Sequence, residues 1–159
     1  MRTQAGGVPK IQEFSKIAGY GTAIRLWDVV KRVADGSIEA NTVGVAASGV
    51  NLVPGAASTA TTHIVMTSPD AIYEAQDNAD TDGFAEADMG LNCELEYNAG
   101  SATTLISGHE LDESTAAAGA AFDVKLLQKL NVPDNAYGSW LRVEVVFNKH
   151  RMYPGTAGV

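Results

Sequence analysis

The stretch "LNCELEY", residues 91–97, decides the fold class. Leu91, Cys93, Leu95 and Tyr97 alternate with Asn92, Glu94 and Glu96, and a period of two sends the two sets of side chains to opposite faces of an extended strand. One face is apolar and the other polar, so the segment reads as a strand with one side in a core and the other in water. The same device recurs downstream. "FDVKLLQKL" (122–130) sets Phe122, Val124 and Leu126 against Asp123 and Lys125, and "WLRVEVVF" (140–147) sets Leu141, Val143, Val145 and Phe147 against Arg142 and Glu144. Between them "NVPDNAYGS" (131–139) is a turn-rich connector, and residues 98–121, rich in Ala, Ser, Thr and Gly, read as a long loop or hairpin.

Upstream the pattern is weaker. "HIVMT" (63–67) and "AIYEA" (71–75) read as two short strands around a corner at Ser68 and Pro69, and "PGAASTATT" (54–62) is a loop by composition. Residues 37–53 alternate faintly, with glycines that suit bends or bulges in a curved sheet. In "AIRLWDVVKRV" (23–33), Ile24, Trp27 and Val30 fall near helical spacing, but "DVVKRV" followed by "ADGSI" favours a strand entering a tight turn at Asp35 and Gly36. Gly6, Gly7 and Pro9, then "AGYG" at 18–21, interrupt any long element near the start. The sequence therefore predicts a mainly β chain: a single antiparallel β-barrel or sandwich over 22–159, with an extended N-terminal arm over 1–21 that is partly mobile until it meets a partner.

A chain of 159 residues can bury a core without metals or disulfides. Its single cysteine, Cys93, excludes an internal disulfide and reads as a small buried apolar residue. No stretch approaches the roughly 20 apolar residues of a membrane span, and the first residues lack a signal-peptide core, so an aqueous compartment and no membrane partner are expected. The net charge of -8 argues against sequence-independent binding to nucleic acid. Its distribution is uneven: residues 1–34 balance at +4, residues 35–139 at -14 and residues 140–159 at +2. Basic ends and an acidic middle suit either one docking face and one solvent face, or termini folded back on an acidic body.

Catalytic patterns are absent from the sequence, and no enzyme activity or cofactor is expected. His63, His109 and His150 have no ligand spacing among themselves, and there is no nucleophile elbow, phosphate loop or dinucleotide fingerprint. Glu94 with Glu96, or Asp112 with Glu113, suit solvated strand faces better than general acid–base pairs. The run "DNADTDGFAEADMG" (77–90) places Asn78, Asp80 and Asp82 like the first ligands of a calcium loop, with Gly83 at the turn. Met89 stands where an EF-hand needs its bidentate Glu, which removes that motif and leaves a solvated acidic turn or an irregular calcium loop of Asn78, Asp80 and Asp82.

Three stretches carry a resemblance: "IAGYGTAIRLWDVVKRVADGSIE", "SPDAIYEAQDNADTDGFAEADMGLNCEL" and "SGHELDESTAAAGAAFDVKLLQKLNVPDNAYGSWLRVEVVFNKH". In that order, over most of residues 17–150, they resemble small virion structural proteins of tailed bacteriophages, and through them capsid decoration or cement proteins. The resemblance implies a β-rich body that sits as a homotrimer on the outer surface of the head, is made in the host cytoplasm, and binds the major capsid protein through an extended arm. Within the arm, Arg2, Val8, Lys10, Ile11, Phe14 and Lys16 are the expected docking residues. The alternatives are a head-tail connector component, or a displayed receptor- or glycan-binding module using some of Trp27, Tyr73, Tyr97, Tyr137 and Trp140.

Overall fold

The period-two pattern organises the whole protein. A computed structural model describes residues 9–80, 83–152 and 158. Its strands are β1 (Ile11–Lys16), β2 (Val29–Arg32), β3 (Ile38–Ala40), β4 (Gly49–Asn51), β5 (Thr61–Met66), β6 (Tyr73–Gln76), β7 (Asn92–Asn98), β8 (Gly108–Ala117), β9 (Val124–Lys129) and β10 (Arg142–Phe147). They form two five-stranded antiparallel sheets, ordered β1-β5-β4-β2-β3 and β6-β10-β9-β7-β8. Neither closes into a barrel. The chain finishes the first sheet before starting the second, and the crossing is the predicted corner at Ser68 and Pro69, between β5 and β6.

Alternation explains the core. On β2, Val29 and Val30 point to opposite faces, and Val65 and Met66 do the same on β5. Val29, Val50 and Met66 join Tyr73, Cys93, Leu95, Leu111, Val124, Leu126, Val143, Val145 and Phe147 in one cluster, so residues of both sheets share it. Val30 and Val65 look the other way, into a smaller cluster with Ile24 and Ile38 that Phe14 and Tyr20 cover. Cys93 is fully buried, and burial pushes its thiol pKa up, as suits a packing residue.

Asp123, assigned to the wet face of its strand, is a correction at 2 % exposed. It lies beneath β7, where its Oδ2 accepts the Tyr97 hydroxyl at 3.0 Å and the Leu95 N–H at 3.4 Å. Of the loop or hairpin read over 98–121, it is the hairpin that forms: β8 pairs antiparallel with β7, and its ten residues make it the longest strand described. Small side chains hid it: only Leu111 marks its apolar face at 0 % exposed. The arm assigned to residues 1–21 contributes a strand as well, because Ile11–Lys16 pairs along its whole length with β5, from Ile11 opposite Met66 to Lys16 opposite Thr61. Exposed Ile11, Gln12, Glu13 and Ser15 gave β1 no core signal in the sequence. Main-chain pairing places it at the sheet edge.

Candidate docking face and acidic cluster

Arg32 and Arg151, basic residues far apart in the sequence, come together. After β10, the Ala47 N–H donates to the Lys149 carbonyl at 3.0 Å and the Arg151 N–H to the Ala47 carbonyl at 2.8 Å, while Arg151 Nη1 reaches the Arg32 carbonyl at 3.3 Å. Residues 149–151 thus reach the first sheet, while the Asn148 and Lys149 N–H groups donate to the Asp123 carbonyl, just before β9, at 2.9 and 3.1 Å. The sheets differ in charge accordingly: strands of the second carry seven acids against three basic residues, those of the first two against three. A groove of about 160 Å³ opens here, lined by Phe14, Arg32, Thr67, His150, Arg151 and Met152. Met152 is 61 % exposed, and the Arg32 guanidinium lies 5.7 Å from the Phe14 ring centre.

Of the predicted docking residues, Arg2 and Val8 lie outside the described residues. Lys10 and Ile11 are exposed at the start of β1, with the Lys10 N–H on Ser68 Oγ at 2.6 Å. Phe14 is half-buried on the smaller core. Lys16 is a correction: at 1 % exposed it is turned into the protein, with Nζ 5.9 Å from the Tyr20 ring centre and no hydrogen-bond partner among the described residues, so it is not presented to a partner.

The second region gathers acids from distant parts of the sequence. Asp80, just after β6, and Asp112 and Glu113 on β8 each place a carboxylate oxygen within 4.8 Å of the others. A bulge does this. From Asn92 to Glu94 on β7 the facing strand advances from Ala117 to Asp112, five residues against two. Consecutive Asp112 and Glu113, which would face opposite ways in a regular strand, therefore both reach Asp80. Asp77 stands alongside, its backbone bridged to Leu111. Of the irregular calcium loop read from the sequence, Asn78 donates through Nδ2 to Glu96 at 3.2 Å and accepts the Asp80 N–H at 3.4 Å, and Asp82 lies outside the described residues. Sequence reading had named Asp80, Asp112 and Glu113, but no local spacing joins them.

Crowding sets their protonation. Burial and the Asp80 and Asp77 charges push Glu113 up to about 7, and burial, ahead of the Asp80 and Asp112 charges, raises Asp77. A carboxyl raised on folding contributes stability below its ordinary pKa and loses it as pH rises through the folded value. Glu113→Gln is therefore expected to raise Tm by about 2–4 °C relative to wild type at pH 8 in chelator, and to leave it unchanged near pH 4. Scanning calorimetry at both pH values checks this.

The histidines are held by the fold. His63 is bonded at Nδ1 to Asn51 and the Val53 carbonyl and at Nε2 to Thr61; His150 is 2 % exposed. The His109 side chain accepts the Val29 N–H on Nδ1 at 3.2 Å and places Nε2 3.5 Å from Asp28. Burial lowers the pKa of all three. Among the aromatics, Tyr73 is buried, Trp27 and Tyr97 are half-buried, and Tyr137 and Trp140 are 40 % and 58 % exposed. No protein-family model, curated protein or solved structure matches the chain.

Proposed function

We propose that the chain is a capsid decoration protein of a tailed phage: a sandwich-like β body that binds the outer surface of the head as a trimer and stabilises the shell by bridging major capsid protein subunits. The observation that carries this reading is the separation of charge between the sheets. The basic residues Arg32 and Arg151 come together on the first sheet while the acidic strands form the second, which gives one face for docking and one for solvent. Edge strand β1 supports it further. Residues 1–10 precede edge strand β1 in the sequence, so the docking segment in this reading is residues 1–10, with Arg2, Val8 and Lys10 laid along a capsid subunit by strand addition and exposed Ile11 at its β1 end. Three such segments on one trimer raise avidity far above that of one.

Light scattering after size exclusion tests the assembly: a species at about three times the 16.6 kDa chain mass is expected, or a monomer that becomes trimeric on heads. Deleting residues 1–10, which leaves β1 intact, should abolish head binding and preserve the trimer. Arg32→Glu with Arg151→Glu should weaken head binding at least about tenfold, and salt should weaken the wild-type interaction. Undiminished binding by the truncated chain would refute the docking segment. One observation favours a displayed glycan-binding module instead: Trp140 is the most exposed aromatic described, at 58 %. A stable monomer that ignores heads and binds glycans would decide for that reading.

A further inference from the structure

The acidic cluster has a feature that solvated surface acids lack. Asp77 is 0 % exposed, and its Oδ2 accepts two backbone N–H groups, from Ala79 at 3.2 Å and Trp140 at 3.1 Å. Its Oδ1 is buried with no hydrogen-bond partner among the described residues, and so is Oε2 of Glu113. A buried carboxylate oxygen without a donor is costly, and here the surrounding charges make it worse. Asp77 interacts electrostatically with Asp80, Asp112 and Glu113, and no lysine or arginine is among the influences on either Asp77 or Glu113.

We propose that Asp80, Asp112 and Glu113, with Asp77 behind them, bind a divalent cation of the calcium class. The ligand set suits it. The three carboxylates each place an oxygen within 4.8 Å of the others, close enough to share one ion. Calcium accepts carboxylate and water oxygens in flexible, irregular geometry, whereas magnesium demands a near-ideal octahedron. Asp112 has one oxygen held by Ser114, through its N–H at 3.1 Å and its hydroxyl at 2.5 Å, which fixes the carboxylate and leaves the other oxygen for the ion. The site ties the β6 end to the bulge of β8, two edge strands of one sheet. The inference is independent of any role on a phage head.

Calorimetric titration of the full chain with calcium chloride at pH 7 tests it. Expected are one site and a Tm raised by about 5–10 °C at a hundredfold excess over Kd. Asp112→Asn and Glu113→Gln should each weaken calcium at least about tenfold, while Glu110→Gln, on the same strand, should leave affinity unchanged. Both cluster variants remove like-charge repulsion, so each should stay folded in chelator, which circular dichroism checks. No heat and no Tm shift at about 5 mM calcium would overturn the proposal. Wild-type affinity in folded Asp112→Asn and Glu113→Gln would overturn it equally.

Discussion

Gly49→Ala should destabilise the protein by about 3 kcal/mol. Gly49 opens β4, a strand of three residues that sits between β5 and β2 in the middle of the first sheet. A Cβ there would stand 2.2 Å from the Met66 carbonyl oxygen and 2.8 Å from Val65 Cγ1. The backbone oxygen cannot yield without breaking the pairing of Val50 with Met66, and β4 has only two residues paired to β5. The local φ of +149° adds strain for any residue with a side chain. Gly44→Ala supplies the comparison: its φ is +76° but nothing lies within 4 Å of the added Cβ, so only the left-handed penalty of about 1–2 kcal/mol applies. Urea unfolding of the two variants should therefore separate their midpoints by more than either differs through strain alone. Equal midpoints would mean that β4 and β5 are not in this close contact.

What could be read from the sequence followed from how each strand is buried. Strands of the second sheet keep their apolar face in the shared core, so β7 and β10 show clean alternation and Cys93, Leu95, Val143, Val145 and Phe147 fall where the pattern puts them, while on the polar face Asn92 and Glu144 are buried as well. The first sheet has apolar clusters on both sides, so Val29 with Val30 and Val65 with Met66 read as short apolar runs that helical spacing can mimic. β1 was illegible for the opposite reason, because its position depends on main-chain bonds to β5 that leave no mark on its side chains. The acidic cluster required tertiary knowledge: Asp80 and Glu113 are brought together by a bulge whose residues, Ser114 to Ala116, look like loop composition. The charge polarity was visible from the start. Which basic residues come together was not, and the contacts of Lys149 and Arg151 with Ala47 and Arg32 bring Arg151 to Arg32.

Asp28→Ala should cost about 3 kcal/mol, the largest loss expected from any one polar side chain. Asp28 lies at the seam where the segment before β2 meets β8. There the Leu26 N–H donates to the Leu105 carbonyl and the Ser107 N–H to that of Leu26, at 2.9 and 2.8 Å. Its Oδ2 accepts the Arg25 N–H at 2.6 Å, and its Oδ1 stands 3.5 Å from His109 Nε2, with both side chains less than a tenth exposed. Because Nδ1 accepts the Val29 N–H, the neutral ring carries its proton on Nε2, facing Asp28. Alanine leaves the Arg25 N–H without an acceptor in the interior and removes the carboxylate oxygen that faces the ring N–H. Asp28→Asn separates the two losses, since the amide oxygen keeps the Arg25 bond while the amide nitrogen replaces the charged oxygen facing the ring. Burial depresses the His109 pKa and the Asp28 charge opposes the depression. Removing the charge lowers it further. A depressed histidine contributes stability above its unfolded pKa of about 6.5 and loses it as pH falls through the folded value. Asp28→Asn should thus stay within about 1–2 kcal/mol of wild type at pH 7.5. Below pH 6.5 it should fall away faster than wild type, at a slope limited to about 1.4 kcal/mol per pH unit for one proton. His63 and His150 are depressed by burial with the same sign in both proteins, so the difference between the two curves isolates His109. Parallel curves from pH 7.5 to 5 would show that the Asp28 charge does not act on the ring, and that the seam is held by its main-chain bonds alone.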